Sequence, residues 1–333
     1  MKKYRVGVIG CTGIGTRHAL GVSGLPNAEL AAGCDLAPDA LDKFRETYQQ
    51  EWPDLALYTS YQDMLENANL DIVTVATSDH RHANMVIDAA RAGAKGIFCE
   101  KPLATTLAEA DAMVAACAAN DTILSIDHTR RFNPLWRHTK EGVVDRGMIG
   151  QVRYIIATLS GPRAMLFRNG THLIDAICYF ADSAPEWVMA ELEPGFEDYT
   201  EYRGDGGHEP KTEPAASGYI HFENGVRGFY PCGFKSAATR DSRLEIMGTE
   251  GYILIDKEGA TIHKEGVVEE VQAPEWPVVD IPAGIQELVR LVDVGGTPVS
   301  PGSEALKAVE IITGFLESQR QNNAKITIAS LRS

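Results

Sequence analysis

The sequence predicts an α/β protein with an N-terminal Rossmann dinucleotide-binding domain and a C-terminal α+β domain. Three observations support this fold class. In the first 127 residues, short apolar runs alternate with helical stretches, which indicates βαβ units and a doubly wound parallel sheet. A glycine-rich segment follows the first apolar run. Beyond residue 150, β-rich runs separated by turn residues predict mostly antiparallel strands. The predicted domains are 1–127 and 128–333, and the C-terminal helix is a candidate to pack back on the first domain.

The first domain contains continuous apolar runs of the kind that form strands buried on both faces. These runs are Val6–Ile9, Leu30–Cys34, Ile72–Ala76, Gly96–Cys99 and Thr122–Ile126. A helix is predicted over Asn84–Arg91, with Gly93 as its C-terminal cap. The capping box Thr106–Glu109 begins another helix, which runs to about Asn120.

The second domain begins with a junction helix that starts at Asn133-Pro134 and ends at Gly147. Helices are also predicted over His172–Phe180 and Ser303–Gln321. The predicted strands are Val152–Leu159, Val188–Leu192, Tyr219–Phe222, Val226–Tyr230, Leu244–Met247, Tyr252–Ile255 and Ile326–Ile328. Asn224-Gly225 is a strong hairpin signal. The polar segment Glu197–Pro214 is predicted to be a long loop that either closes over substrate or reaches a neighbouring subunit.

Composition excludes several classes of protein. Among 333 residues there are 31 Lys plus Arg and 46 Asp plus Glu, a net charge of −15, which disfavours nucleic-acid and anionic membrane partners. No apolar run approaches the roughly 20 residues of a membrane span. The six cysteines form no CxxC pair, so we expect no zinc ribbon and a reducing, cytoplasmic setting. His80, His128 and His208 show no ligand spacing, and we predict no metal.

The segment after the first apolar run has most of a dinucleotide fingerprint. Gly10 and Gly15 occupy the outer positions of G-x-G-x-x-G, Thr12 takes the middle one, and Gly13 follows one residue late. Glycines here allow a tight turn and a close approach of backbone amides to a pyrophosphate. Thr12 adds a Cβ at this approach, although its hydroxyl can donate a hydrogen bond instead. We expect Gly10, Thr12, Gly13 and Ile14 to contact the cofactor.

An acidic residue ends the second apolar run and bears on cofactor choice. Asp35 lies 25 residues after Gly10. A carboxylate at this place can hold the ribose hydroxyls and repel a 2′-phosphate. Leu36 follows, rather than a residue that would bind phosphate. The sequence therefore predicts NAD in preference to NADP.

Five further motifs follow along the chain. They are Thr77–His82, Glu100–Pro102, Arg130–Pro134, Gly147–Val152 and Gly248–Gly251. Together with the glycine loop, this set resembles the Gfo/Idh/MocA oxidoreductase family, which includes glucose–fructose oxidoreductase and inositol dehydrogenase. The resemblance covers nearly the whole chain.

The resemblance implies a second domain built on a large open sheet, whose open face commonly forms the oligomer interface. A homodimer or homotetramer is therefore implied. It also implies that a nicotinamide cofactor oxidises or reduces a hydroxyl or carbonyl carbon of a sugar, cyclitol or sugar acid. By the same resemblance, Thr77, His82 and Glu100 belong to the cofactor side of the site.

Two residues are candidates for the chemistry of hydride transfer, which needs a proton acceptor and a group that stabilises the alkoxide. Lys101 follows an expected parallel strand, at the edge where ligands bind in such sheets. The resemblance puts its ammonium between the nicotinamide ribose and the reacting oxygen. His172 is the candidate base, because histidine exchanges protons near neutral pH. Asp175, one turn on, is expected to contact a substrate hydroxyl or to orient the imidazole.

The chain departs from the family pattern at one position. Many members carry Asp four residues before this histidine, whereas Arg168 stands here, followed by Asn169. Two hypotheses stay open. Arg168, with Arg163, clamps an anionic group of the substrate. Alternatively, Asn169 holds sugar hydroxyls while Arg168 pairs with protein carboxylates.

Three functions are therefore compared. The leading one is an NAD-dependent dehydrogenase. The second is an enzyme that retains NAD and uses transient oxidation, either to cleave a glycoside by elimination or to exchange hydride between two sugars. The third is a non-enzymatic dinucleotide or sugar sensor, which the presence of both Lys101 and His172 disfavours.

Overall fold

The computed structural model describes residues 3–162, 164–204, 206–207, 209–232, 235 and 242–332. The chain forms two compact units. Unit 1 consists of the residues up to Ala104, Ala108–Phe132 and Pro277–Ser303. Unit 2 consists of Thr105–Leu107, Asn133–Trp276 and the residues from Glu304 onward. The functional boundary between residues 127 and 128 stays a prediction.

A six-stranded parallel sheet forms the centre of unit 1. Its strands are β1 (Tyr4–Ile9), β2 (Ala28–Cys34), β3 (Ala56–Tyr58), β4 (Ile72–Val75), β5 (Gly96–Cys99) and β6 (Ile123–Ile126). The spatial order is β3-β2-β1-β4-β5-β6, and every pair is parallel. This is the strand order of a Rossmann fold, and it confirms the predicted class. The sequence did not reveal β3, because three partly exposed residues are too few to show a pattern.

Nine α-helices are found among the described residues. They are α1 (Ile14–Leu20), α2 (Pro38–Tyr48), α3 (Tyr61–Asn67), α4 (His82–Arg91), α5 (Leu107–Ala119), α6 (Pro134–His138), α7 (Thr171–Ala181), α8 (Asp280–Val294) and α9 (Gly302–Arg320). None of them is long and apolar enough to cross a membrane.

Helix α8 belongs to unit 1, although it is distant in sequence from the sheet. Its apolar side chains are buried in one cluster with residues of β1, β4 and β5. Glycines permit the close approach. A Cβ at Gly284 would lie 2.6 Å from the Phe98 ring, and one at Gly21 would lie 2.7 Å from Ile285. A larger residue at either place would push α8 away from the core.

The described residues of unit 2 form a nine-stranded sheet. Its strands are β7 (Val152–Leu159), β8 (Pro185–Leu192), β9 (Ala216–Phe222), β10 (Arg227–Pro231), β11 (Ser242–Gly248), β12 (Tyr252–Ile255), β13 (Ala260–Lys264), β14 (Val267–Glu270) and β15 (Ile326–Thr327). The order is β14-β13-β12-β11-β7-β10-β9-β8-β15. Among the strands that the structure describes, only β7 and β10 pair in parallel, so the predicted large and mostly antiparallel sheet is confirmed.

The two faces of this sheet differ. One face is buried in an apolar cluster with α7 and α9, and a Cβ at Gly218 would lie 2.1 Å from the Phe315 ring. The opposite face carries aromatic rings on β7 to β10. Trp187 stacks on Tyr219 at 5.0 Å between ring centres, and Phe229 lies 5.3 Å from Tyr219 and 6.0 Å from Tyr154.

The junction helix starts as predicted but changes its winding. The Asn133 side chain accepts a hydrogen bond from the Leu135 amide at 3.0 Å and caps α6. After His138 the chain continues as a π-helix over Thr139–Val144. A π-helix has no distinctive residue pattern, so the sequence predicted one continuous helix.

Candidate functional site

The glycine loop of unit 1 connects β1 to α1 at the carboxyl edge of the sheet. Gly10 has a φ of 91°, and a Cβ there would lie 2.3 Å from the Ala76 carbonyl oxygen. A Cβ at Gly15 would lie 1.7 Å from the Gly10 carbonyl oxygen. Thr12 and Gly13 are exposed, and a Cβ at Gly13 would meet no atom within 4 Å among the described residues. The loop is thus tightly folded where it meets the sheet and open where a pyrophosphate would approach.

Asp35 lies beside this loop, after β2. Its Oδ2 accepts a hydrogen bond from the Cys11 amide at 2.9 Å, and its Oδ1 accepts one from the Ala37 amide at 3.0 Å. A carboxylate offers about four acceptor positions, so about two remain for ribose hydroxyls. Both the loop and Asp35 therefore fit a dinucleotide.

The segment Lys101-Pro102 follows β5 and contains a cis peptide bond. His82, fully buried at the start of α4, connects this segment to the end of β4. Its Nδ1 lies 2.9 Å from the Pro102 carbonyl oxygen, and its Nε2 lies 3.2 Å from the Thr77 carbonyl oxygen. Thr77, His82 and the lysine segment are thus brought together. The role of these residues on the cofactor side of the site, which the resemblance implies, stays a prediction.

Glu100 is part of a buried cluster with His18 of α1 and Asp127, which follows β6. His18 Nε2 lies 3.4 Å from Glu100 Oε1. Burial opposes ionisation of Glu100, but the His18 hydrogen bond and the charge of Lys101 together lower its pKa to about 2. Burial and then the charge of Glu100 raise the pKa of Asp127 well above its usual value.

Unit 2 supplies the other predicted residues from one short stretch of chain. Leu166–Gly170 forms a single π-helical turn, and α7 follows directly. His172 is partly exposed in the first turn of α7, whereas Asp175, one turn later, is buried. Residues three apart share a face of a helix, so these two side chains are neighbours. Nδ1 of His172 is buried.

Arg168 contacts the long loop that precedes β9. Its Nη1 donates to the Gly206 carbonyl oxygen at 2.5 Å. The buried Glu213 accepts the backbone amides of Phe167 and Arg168 at 2.9 and 3.1 Å through Oε2. The predicted loop therefore exists and is attached to the π-helical turn. Asn169, the next predicted residue, is partly exposed on the same turn. Arg163, which was predicted to share the task of Arg168, lies outside the described residues.

Three residues in these clusters were missed by the sequence analysis. His18, Asp127 and Glu213 are buried polar residues with structural partners. Asp127 had a usable signal, because it ends β6 and the carboxyl ends of neighbouring parallel strands meet at one edge. His18 lies one turn past the glycine loop, which places it near that edge. Glu213 had no local signal, since its partners are 45 and 46 residues away.

The glycine loop, Asp35 and Lys101 at the carboxyl edge of a Rossmann sheet define a dinucleotide-binding oxidoreductase. Residues 4–128 match the model of the oxidoreductase family with an NAD-binding Rossmann fold, and residues 137–254 match the Gfo/Idh/MocA C-terminal domain. The chain belongs to the Gfo/Idh/MocA family.

Several characterised proteins are similar to this chain. A myo-inositol 2-dehydrogenase from Thermotoga maritima is 29% identical over 256 residues, which cover 76% of this chain and 75% of the relative. A D-apiose dehydrogenase from Paraburkholderia graminis is 26% identical over 351 aligned positions, which cover 96% of this chain and 89% of the relative. The aldose–aldose oxidoreductase of Caulobacter crescentus shares the fold, with a TM-score of 0.82 at 21% identity over 98% of this chain and 100% of that chain.

Proposed function

We propose that the protein is an NAD-dependent dehydrogenase that transfers a hydride between the nicotinamide and a hydroxyl or carbonyl carbon of a cyclitol, sugar or sugar acid. One observation carries the proposal. Lys101 follows β5, two strands from the glycine loop of β1, with the ionised Glu100 next to it. A lysine held in that position is suited to stabilise an alkoxide near a bound dinucleotide.

The preference for NAD over NADP is part of this proposal. Asp35 keeps its carboxylate at the loop through two backbone amides. A fixed anion at the ribose would repel a 2′-phosphate, whereas the exposed Leu36 offers it no hydrogen bond. No cationic side chain directly follows Asp35 in the sequence to reverse this effect.

The proposed mechanism assigns one task to each of two residues. When bound, NAD supplies the hydride acceptor. The Lys101 ammonium donates to the substrate oxygen and stabilises negative charge as the carbon loses hydride. Nε2 of His172 takes the hydroxyl proton in oxidation and returns it in reduction. Asp175, on the same face of α7, orients the imidazole or contacts a second hydroxyl.

The substrate class follows from the relatives and from Arg168. The two curated relatives above are named for a cyclitol and for an aldose, so neutral polyols are the first substrates to examine. The Gly206 contact of Arg168 favours a role in holding the loop before β9. We therefore propose that Asn169 contacts substrate hydroxyls and that Arg168 does not clamp an anion. Arg163 has no proposed role on this basis.

A homo-oligomer is also proposed. The aromatic face of the unit 2 sheet exposes 44% of Met189 and 36% of Phe229, next to Trp187 and Tyr219. A continuous apolar patch across four strands is typical of a protein interface. We propose that two copies of the chain pair through this face.

The first experiment is an absorbance spectrum of the purified protein, followed by titration with NAD and NADP. Bound nicotinamide that survives purification, with turnover that forms no NADH, would replace the dehydrogenase by the cofactor-retaining alternative. A cofactor-free protein that needs added NAD, and forms NADH from cyclitols or aldoses, supports the proposal.

Lys101→Ala and His172→Asn then test the mechanism. Each is expected to lower kcat by about 10² to 10⁴-fold while NAD still binds. The exposed Lys257, changed to Ala, is the matched control for the lysine. An unchanged kcat in Lys101→Ala would refute the catalytic role of Lys101 and favour the sensor function.

A further inference from the structure

Two buried residues next to the Lys101 segment have no task in the proposed mechanism. His18 and Asp127 are 0% and 2% exposed, and both lie against Glu100, which is 8% exposed. One oxygen or nitrogen of each side chain lies within 4.8 Å of the corresponding atoms of the other two. They come from α1 and from the ends of β5 and β6, so the fold itself assembles them.

The carboxyl groups of Glu100 and Asp127 are buried side by side, with an oxygen of one within 4.8 Å of an oxygen of the other. Ionised carboxylates only accept hydrogen bonds, so neither group can donate to the other unless one of them carries a proton. Two carboxylates in contact cannot both remain ionised in a buried place. The pair therefore holds a single proton at neutral pH.

The surroundings of the two groups decide which one carries this proton. Glu100 accepts a hydrogen bond from Nε2 of His18 and faces the charge of Lys101, and both favour the carboxylate. Asp127 has a buried oxygen, Oδ1, that meets no hydrogen-bond donor among the described residues. An ionised oxygen buried without a donor is costly, whereas a protonated carboxyl donates its own hydrogen. The proton therefore belongs on Asp127.

We infer that Asp127 keeps the shared proton across the working pH range and donates it to Glu100, so that Glu100 remains an anion that positions the Lys101 ammonium. His18 and Asp127 are then positioning residues, since both act on Lys101 through Glu100. The role of Lys101 rests on the proposed function, whereas the location of the proton does not.

Other charged groups near the pair also affect the pKa of Asp127, some lowering it and others raising it. The charges of Lys101 and Arg17 lower the pKa of Asp127, but burial and Glu100 outweigh them. The thiol of Cys99 and the carboxylate of Asp79 lie on the β4–β5 side, and burial together with the nearby carboxylates keeps the thiol neutral. Neither adds a positive charge that would ionise Asp127.

A divalent cation is the competing occupant. One histidine and two carboxylates form a plausible ligand set for Zn²⁺ or another transition metal. A bound cation requires both carboxylates to be ionised, whereas a shared proton leaves only one of them ionised. The two occupants therefore predict opposite results when Asp127 is made permanently neutral.

The test compares Asp127→Asn with Glu100→Gln in the full-length protein. The new amide in Asp127→Asn still donates to Glu100, so kcat is expected to stay within about threefold of the original value. Glu100→Gln removes the anion beside Lys101 and should lower kcat about 10²-fold, with the alkaline limb of the pH–rate profile shifted. Asp127→Ala, which removes the donor, should lose activity that Asp127→Asn retains.

Infrared spectra of the unmodified protein supply a readout that does not need activity. A carboxylic acid C=O band should be present at neutral pH and be absent in Asp127→Asn. Equal loss of kcat in both variants, absence of the band, or a stoichiometric metal that chelator removes with activity would overturn the inference. If the protein shows no dehydrogenase activity but keeps the band, the proposed function fails and the proton assignment stands.

Discussion

The imidazole of His82 lies between two backbone carbonyl oxygens, with Nδ1 2.9 Å from that of Pro102. This contact fixes the segment that carries Lys101 to the first turn of α4. His82→Ala removes it and leaves a cavity. Misplacing a catalytic group by about 1 Å can cost about 10² in rate, so we expect kcat to fall by one to two orders of magnitude.

Steady-state kinetics and NAD titration of His82→Ala measure this effect. The dissociation constant of NAD should change less than kcat, because the glycine loop is untouched. His80→Ala, an exposed histidine two residues earlier, is the control. Equal losses in both variants would show that His82 has no special part in positioning Lys101.

The second prediction concerns cofactor choice. Asp35→Asn keeps the size of the side chain but removes the charge that faces the ribose. The ratio of kcat/KM for NAD to that for NADP should fall by about 10 to 100-fold, the value of one charge-assisted hydrogen bond. Asp39→Asn, exposed in the first turn of α2, should leave the ratio unchanged. A constant ratio in Asp35→Asn would remove the basis for NAD preference.

The third prediction separates the two hypotheses for Arg168. Because its guanidinium donates to the Gly206 carbonyl, Arg168→Ala should raise KM by similar factors for a neutral polyol and for the matching sugar acid. An increase confined to the acid would restore the anion clamp. Arg203→Ala, an exposed arginine in the same loop, controls for general loosening.

The fourth prediction is a pH dependence of stability. Asp127 has a raised pKa, so above the unfolded value of 3.8 the folded state binds one proton more than the unfolded state. The free energy of unfolding should therefore fall as pH rises, by up to about 1.4 kcal/mol per pH unit until the folded pKa is reached. Glu100, lowered to about 2 from 4.5, gives the opposite slope between those values.

Chemical unfolding of Asp127→Asn at several pH values isolates this effect. The variant should lose the falling slope above pH 3.8 and keep the acid limb that Glu100 contributes. Parallel pH curves for the variant and the original protein would contradict a protonated Asp127.

The fifth prediction concerns self-association. Phe229→Asp places a charge in the centre of the aromatic face of β7 to β10, and sedimentation should then show a smaller species. Val268→Asp, on the exposed strand β14, changes an exposed apolar residue outside that patch and should not alter the mass. A mass that is the same in all three proteins would exclude this face as the interface.

The Rossmann sheet could be predicted because five of its six strands are continuous apolar runs, three of which are followed by Gly10, Asp35 and Glu100. The antiparallel sheet could be predicted from turn residues such as Asn224-Gly225. In contrast, the return of α8 to unit 1 depends on packing against Phe98, and no local pattern encodes a contact so distant in sequence. Polar partners such as Asp127 were missed for the same reason, since they become neighbours only when β5 and β6 pair.

Helix α8 also has a consequence for how the chain is made. Unit 1 acquires Pro277–Ser303 only after the whole of Asn133–Trp276 has been synthesised. Until then, α8 does not cover the apolar surfaces around Gly21 and Phe98. The dinucleotide domain is therefore incomplete when it emerges from the ribosome. A fragment that ends at Phe132 should therefore aggregate, and translation that stalls before Ile281 should yield a product that depends on chaperones.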